Sequence, residues 1–122
     1  MFFPSETNIP WLERALDMSY RRHTVLAGNI ANADTPEYAP RDVEFTEHLE
    51  AELHGRNHLG PNPGLPRAEI RGGVEASLDG NTVDVEKEMV RMTSNRMFYE
   101  LASEMMNRSL SGLRYAITEG GR

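Results

Sequence analysis

The residues of this chain best suited to chemistry are its histidines and a group of glutamates near them. His54 and His58 are four residues apart, and His48 and Glu50 lie shortly before them. Imidazole and carboxylate groups with this spacing bind zinc when a helix places them on one face. Residues 55–61, however, contain glycines and a proline, which disfavour a helix. We therefore expect solvated loop histidines and no metal site.

The pattern of the other reactive residues gives little support to catalysis. No serine lies in a Gly-x-Ser-x-Gly sequence or beside a suggestively placed base, and no glycine-rich phosphate loop is present. Glutamates at 44, 47, 50 and 52 form an acidic face, but paired carboxylates need a pocket that this short chain can hardly build. The sequence predicts a protein that is not an enzyme and uses no cofactor or small-molecule substrate. A metal-dependent hydrolase is the enzymatic alternative, which a zinc assay would test.

Charge and hydropathy narrow the classes of partner. The net charge of the chain is −6, and the acidic excess lies in residues 34–80. Without a basic stripe, we expect no nucleic-acid binding. No apolar run approaches the roughly 18 residues that would span a bilayer, so we expect no direct bilayer insertion. A cleaved signal peptide begins with a basic segment that is followed by an apolar one. The first residues of this chain show neither, so we also expect no cleaved signal peptide.

The first element that positions residues is a helix predicted over about 9–33. Pro10 suits the first turn of a helix, and Asn8 is a good cap. Asn32, Asp34 and Pro36 end the helix. Between these signals, residues recur in steps of four and three, the period of a helix that packs on another helix. This predicted seam consists of Leu12, Leu16, Ser19, His23, Leu26 and Ile30.

A second, longer helix is predicted over about 84–118. Asp84 is a plausible cap, and Glu86 and Glu88 place negative charge in the first turn, where the helix dipole favours it. Gly120 and Gly121 supply the stop. One long stripe follows this helix and predicts its packing face. It consists of Val85, Met89, Met92, Arg96, Tyr99, Ala102, Met106, Leu110, Leu113 and Ile117.

Residues 34–80 are predicted to be irregular, because glycine and proline are frequent there. This middle has room for a short helix around Thr46–His54 and for a short strand over Val74–Leu78. The chain is therefore predicted to form one domain over residues 1–122 of the mainly α class. Its two long amphipathic terminal helices pack as a coiled-coil-like pair around this irregular middle.

Both helices carry the signatures of one family. The run Asn29-Ile30-Ala31-Asn32, followed by Thr35-Pro36 and Tyr38, resembles the N-terminal signature of bacterial flagellar axial proteins, which include the rod, hook and hook-associated families. Residues 81–99 resemble the C-terminal helix of the same proteins. The ending over 106–117 is most similar to the proximal-rod members, and the short middle agrees, because distal rod and hook proteins carry large inserted domains there.

The resemblance implies a structural subunit of the proximal rod of the flagellar basal body, which connects the membrane ring and export apparatus to the distal rod and transmits torque. Its expected partners are further copies, other rod proteins, the protein at the junction of rod and membrane ring, and the export gate. Its expected location is the periplasmic rod, after export through the flagellar type III apparatus. Another short rod protein, or a helical adaptor that binds a single partner, are the alternatives.

The resemblance and the helix patterns together predict the residues of the assembly interface. In family members the terminal helices tend to order only on assembly, and thin apolar faces that are left wet in the free chain would explain this. Asn29 and Asn32 either fix the axial register or merely end the helix. The predicted interface consists of Leu12, Leu16, His23, Leu26, Asn29, Ile30, Asn32, Thr35, Pro36, Tyr38, Val85, Met89, Met92, Tyr99, Met106, Leu110, Leu113 and Ile117.

One position departs from the family pattern. Glu37 follows Pro36 where family members usually have glycine. A type II turn needs a positive φ at this second position, and glutamate disfavours that angle. The sequence therefore predicts a type I turn or an open bend at Pro36-Glu37.

Overall fold

In a computed structural model, two long helices form most of the part of the chain that the structure describes. The structure describes residues 8–44, 46, 49–50, 68–71 and 80–120. Helix α1 spans Asn8–Ala31 and helix α2 spans Val85–Glu119. Between them lie two short strands, β1 at Arg41–Asp42 and β2 at Glu69–Ile70. The predicted fold class is confirmed, and both predicted helices agree with the observed ones to within two residues at each end.

The local signals at the start of α2 act as predicted. Asp84 is the N-cap residue, and its carboxylate accepts a hydrogen bond from the backbone N–H of Lys87 at 3.3 Å. Glu86 and Glu88 lie in the first turn. At the other end, the N–H of Gly120 donates to the carbonyl of Ala116 at 3.0 Å. Neither α1 nor α2 has a stretch apolar and long enough for a membrane-spanning segment.

The two helices pack antiparallel. Near one end of the pair, the Asn29 amide donates to Glu88 at 3.0 Å. Further along, the Asn95 amide donates to the carbonyl of Ser19 at 2.8 Å. Residue numbers in α1 therefore decrease along the pair as those in α2 increase. One end of the pair, which we call the turn end, holds Ala31 and Val85, and the opposite end holds the start of α1.

The seam predicted for α2 is wrong. The buried residues of α2 are Glu88, Asn95, Ala102 and Ser109, which repeat every seven residues. Because Glu88 and Asn95 find hydrogen-bond partners on α1, they are buried at little cost, and the apolar residues lie to either side. Of the predicted stripe, only Ala102 is buried. Met92, Met106 and Leu113 are half-buried, and Val85, Met89, Arg96, Tyr99, Leu110 and Ile117 are exposed.

The seam predicted for α1 is partly right. Leu12, Ser19 and Leu26 are fully buried, as the spacing indicated. The helix is rotated slightly from the prediction, because Ala15 and Asn29 are also buried. Leu16 and Ile30 are consequently only half-buried, and His23 is exposed.

The described residues of the middle, which include both strands and Leu49, pack on the helix pair. β1 and β2 pair antiparallel, with Arg41 opposite Ile70 and Asp42 opposite Glu69. The predicted short helix is helical at its described positions 46, 49 and 50. Leu49 packs with Ala15 and Met18 in the core, and Trp11 and Phe98 pack against this cluster. The predicted strand over 74–78, and the histidines at 48, 54 and 58, lie outside the described residues.

The turn predicted at Pro36-Glu37 is also wrong. The φ of Glu37 is +61°, and the N–H of Tyr38 donates to the carbonyl of Thr35 at 3.3 Å, as in a type II turn. The surrounding contacts impose this angle. The buried Asn81 amide donates to the carbonyls of Asn32 and Thr35, and Thr82 donates to the carbonyl of Tyr38 at 3.1 Å.

Replacing Glu37 with glycine should stabilise the fold. Glycine adopts a positive φ freely, whereas a strained non-glycine residue costs about 1 kcal/mol or more. After subtraction of the greater freedom of glycine in the unfolded chain, we expect a net gain of about 0.5 kcal/mol in the free energy of unfolding, measured in urea. Asp34→Gly is the matched control, because Asp34 is exposed and its φ is not positive. The free energy of unfolding should fall in Asp34→Gly. If it falls in Glu37→Gly as well, glycine does not relieve strain at position 37.

Candidate assembly surface

Asn29 is the central polar residue of the turn end of the helix pair. Its side chain is fully buried in α1. The amide nitrogen donates to the carbonyl of Arg41 at 2.6 Å and to Glu88 at 3.0 Å. The amide oxygen accepts from the hydroxyl of Tyr38 at 3.2 Å and from the N–H of Arg41 at 2.9 Å. All four hydrogen-bonding positions of the amide are therefore used, and one side chain joins α1, β1 and α2.

A chain of ion pairs extends from this residue. Glu88 is 1% exposed, and its carboxylate accepts hydrogen bonds from Arg71 and, at 3.0 Å, from Arg91. Arg71 also contacts Asp42 at 3.0 Å, and Asp42 accepts two hydrogen bonds from Arg22, at 2.8 and 3.0 Å. Because α1, β1, α2 and the residue after β2 all contribute, the network holds Asp42 and Arg71 against the helix pair.

The charges in this network stabilise each other. Burial alone would raise the pKa of Asp42, but the hydrogen bonds from Arg22 and from the N–H of Val43 outweigh it and lower the pKa below its ordinary value. The hydrogen bond to Asp42 in turn raises the pKa of Arg22, against the opposing effect of burial. Both groups are thus held in their charged forms.

The other predicted residues near the turn bond locally. The Asn32 amide donates to the carbonyl of Gly28 at 2.8 Å, and its oxygen accepts from the hydroxyl of Thr35 at 3.1 Å. Asn32 therefore ends the helix, one of the two readings of its sequence position. Asn29 has a role that neither prediction described, since its side-chain amide forms hydrogen bonds that join three elements of the same subunit. A role of either residue in the axial register of an assembly stays a prediction.

Several residues at the turn end were not predicted from the sequence. Asn81 holds the turn, and Arg71 and Asp42 link the network, yet none of them belongs to a helix seam. Asn81 has a local signal, because its side chain accepts from the N–H of Val83 at 2.8 Å, as asparagine does in many turns. Arg71 and Asp42 have none, since their partners lie far along the chain.

The helix pair has a second side, away from the described residues of the middle of the chain. A groove of about 310 Å³ runs there between the helices and is lined by Ser19, Tyr20, His23, Asn95, Arg96 and Tyr99. We call this side the open face. It contains one exposed or half-buried flank of each helix, with seven of the sixteen residues that the sequence predicted as seams. Its members are Leu16, Tyr20, His23, Ala27 and Ile30 of α1, and Met89, Met92, Arg96 and Tyr99 of α2.

The groove offers little for catalysis or metal binding. Within residues 8–44, 46, 49–50, 68–71 and 80–120, no three His, Cys, Asp or Glu side chains are grouped so that they could hold a metal ion. His23 is exposed at the edge of the groove. The lining contains two tyrosines and an arginine paired with Glu100 at 2.9 Å, which suits packing of another chain better than chemistry on a small molecule.

The pattern of burial along α2 is the reverse of that expected for a helix of an isolated soluble hairpin. Such a helix buries an apolar stripe and exposes a polar one. Here the buried stripe is polar or small, and large apolar side chains face solvent. Exposed large apolar side chains grouped on the flanks of a helix indicate surfaces that bind other protein. The exposed large apolar residues of α2 are Val85, Met89, Val90, Met97, Tyr99, Leu101, Leu110, Tyr115 and Ile117.

Comparison with known proteins gives a consistent set of relatives. No protein-family model matches the chain. It is 32% identical to the flagellar basal body rod protein FlgB of Escherichia coli strain K12, across 88% of this chain and 91% of that protein. It is 35% identical to FlgB of Aeromonas hydrophila, across 84% and 86% of the two chains. It is also 35% identical to FlgB of Cereibacter sphaeroides, across 85% and 88%.

Proposed function

Because this chain belongs to the FlgB family of flagellar basal body rod proteins, we propose that it is a structural subunit of the basal-body rod that assembles through its terminal helices. The single observation that carries the assembly surface is the orientation of α2. Its buried polar residues Glu88 and Asn95 hydrogen-bond to α1, while Met89, Tyr99, Leu110 and Ile117 remain at least two-fifths exposed.

The energetics favour burial of these residues by neighbouring chains. Burying a leucine, isoleucine or methionine side chain contributes about 1.5–3 kcal/mol, against about 1–2 kcal/mol for ordering each backbone residue. The free subunit keeps much of this apolar area in water, so neighbours supply what the hairpin lacks. Ordering of the helix ends on assembly, as the sequence predicted, is consistent with that balance.

The finer parts of the proposal rest on the family resemblance. We place the subunit in the proximal rod, in the periplasm, after export through the flagellar type III apparatus. There it would transmit torque and contact other rod proteins, the junction with the membrane ring and the export gate. The names of its relatives describe rod components, and no catalytic step is part of this proposal.

Electron microscopy of cells that carry an in-frame deletion of this gene tests the function. We expect loss of rod, hook and filament, retention of the membrane ring, and restoration of all three by a plasmid copy. Normal flagella in the deletion strain, with no second copy of the gene in the genome, would exclude an essential rod role. A helical adaptor would differ by forming a defined pair with one partner rather than an extended assembly.

A further inference from the structure

The only sulfur atoms of this chain belong to its methionines. The sequence contains seven methionines and no cysteine. Five of the seven lie on α2, at positions 89, 92, 97, 105 and 106. Because the chain has no thiol, an oxidant that reacts with sulfur finds only thioether groups on it.

Exposure divides the described methionines into three groups. Met89 is 57% exposed and Met97 is 66% exposed, whereas Met18 is fully buried in the core. An oxidant has to touch the sulfur atom, so Met89 and Met97 should react first and Met18 last. The half-buried methionines, which should react at intermediate rates, are Met92, Met105 and Met106.

We propose that Met89 and Met97 form an oxidation site of the unassembled subunit, at which conversion to methionine sulfoxide spares the fold and hinders assembly. With hydrogen peroxide, the sulfur attacks one oxygen, the O–O bond breaks and an S–O bond forms. The sulfur gives up two electrons, and the proton on the transferred oxygen passes to the departing hydroxide, which leaves as water. The effect on assembly rests on the proposed function, whereas the reaction does not.

The fold tolerates an added oxygen at these two positions. Neither residue belongs to the buried seam of α2, and both side chains are mostly in water, so a polar S=O group stays hydrated there. At Met18 the same oxygen would lie in the apolar core beside Leu49. Oxidation at the surface is therefore compatible with a folded subunit, and oxidation in the core is not.

Assembly responds differently, because a neighbouring chain has to cover the oxidised positions. Met89 lies on the open face, and Met97 lies within one or two turns of the exposed residues Val90 and Leu101. A thioether packs well against apolar side chains, whereas a sulfoxide has to lose bound water first. Each sulfoxide thus weakens a contact that covers it.

Exposure also makes the change reversible. Methionine sulfoxide is reduced back to methionine by two reductases, one for each epimer at sulfur. A sulfoxide at the surface of a folded helix is accessible to these enzymes, while one in the core is not. The site links the supply of subunits able to assemble to the balance between oxidant and reductase.

Limited oxidation of the purified chain tests the site itself. The folded chain is treated with dilute hydrogen peroxide, and the sulfoxide fraction at each methionine is followed by peptide mass spectrometry. We expect Met89 and Met97 to react about ten times faster than Met18, whose sulfur is reached only when the chain opens. The urea midpoint of chain oxidised at these two positions should equal that of untreated chain, and the two reductases should restore the original mass.

Leucine variants test the effect on assembly, because leucine is apolar, close to methionine in volume and inert to peroxide. In cells without the native gene, Met89→Leu/Met97→Leu or the native chain is induced during a sublethal peroxide pulse. The fraction of flagellated cells is divided by that of the same strain without peroxide, so damage to other proteins is common to all strains. We expect this ratio to be about twofold or more higher for the double variant. Met18→Leu is the matched control and should give the ratio of the native chain, because its sulfur is buried.

The outcomes separate this proposal from the rod function. If cells without the gene are flagellated, the rod function fails, and the oxidation rates still decide the site. If those cells lack flagella but the double variant and the native chain give equal ratios, the rod function stands and the effect on assembly is overturned. Oxidation of Met18 as fast as that of Met89, or a lower urea midpoint after surface oxidation, would overturn the site. If the double variant forms no flagella without peroxide, the two single leucine variants replace it in the same comparison.

Discussion

Asn29→Ala should lower the free energy of unfolding by about 3 kcal/mol or more, as measured by urea denaturation of the purified chain. The substitution removes four hydrogen bonds at a fully buried position. It leaves the buried Glu88 carboxylate short of a partner, at a cost of about 1–3 kcal/mol, and removes the bonds to the partly buried Tyr38 hydroxyl and Arg41 backbone, at about 1 kcal/mol each. Since small domains are stable by about 5–15 kcal/mol, a large part of the stability is at stake.

Asn32→Ala is the matched control for this prediction. It is the same change near the same end of α1, but among the described residues the Asn32 side-chain amide bonds to Gly28 and Thr35 alone, at a partly exposed position. We expect a loss of about 1 kcal/mol. Equal losses in the two variants would mean that both residues act merely as the end of the helix, contrary to the contacts of Asn29.

A third variant separates shape from hydrogen bonding at this site. Asn29→Asp keeps the size of the side chain but replaces the donor to Glu88 with a second carboxylate about 3.0 Å away. Like charges this close cannot both stay ionised in a buried place. Asn29→Asp should therefore be at least as unstable as Asn29→Ala at neutral pH. A stability close to that of the native chain would show that packing, and not the donor, is what matters.

The parts of the fold that depend on neighbouring residues could be predicted from the sequence. Asp84 caps α2, and the capping residue, the charge that follows it and the first turn all lie within five positions. The end of α1 near Asn32 likewise depends on residues close to it in the sequence. The prediction of two long helices that pack together needed only these signals and a helical period, and it is confirmed.

The parts that depend on distant pairs could not be predicted. Asn95 is buried in the seam because Ser19, 76 residues away, supplies matching hydrogen bonds. Glu88 is buried for the same reason beside Asn29, which is 59 residues away. A single sequence shows these residues as polar and places them outside. The hydrophobic stripe is real, but its period indicates only that something covers it, and not that α1 does.

The angle at Glu37 shows the same limit on a smaller scale. Residue preference predicts a negative φ there, because a positive φ is energetically unfavourable for glutamate. The structure nevertheless has +61°, since Asn81 and Thr82 hold the turn from the other side of the chain. The sequence could not show that about 1 kcal/mol of strain is outweighed by bonds from residues more than forty positions away.

Met89→Asp should abolish swimming without unfolding the subunit. Met89 is 57% exposed on the open face, so the free chain tolerates a carboxylate there, with a change in unfolding free energy within about 0.5 kcal/mol. If a neighbouring chain covers this position in the rod, assembly must desolvate the new charge, which costs several kcal/mol and weakens each contact about a hundredfold or more. Swimming in soft agar and urea denaturation of the purified variant are measured side by side.

Thr93→Asp gives the matched control, because it adds the same charge one turn further along α2 at an exposed position that is already polar. We expect these cells to swim at a rate near that of the parent. Thr93 lies next to Met89 on the helix surface, so loss of swimming in both variants would mean either an effect of the added charge itself or a contact that extends to Thr93. If Met89→Asp cells swim normally, no chain covers the open face at this position. That result would assign the exposed apolar side chains on the other sides of α2, such as Val90, Met97 and Leu101, to the interface. The Met89→Asp variant therefore tests whether the open face of α2 binds the neighbouring subunits.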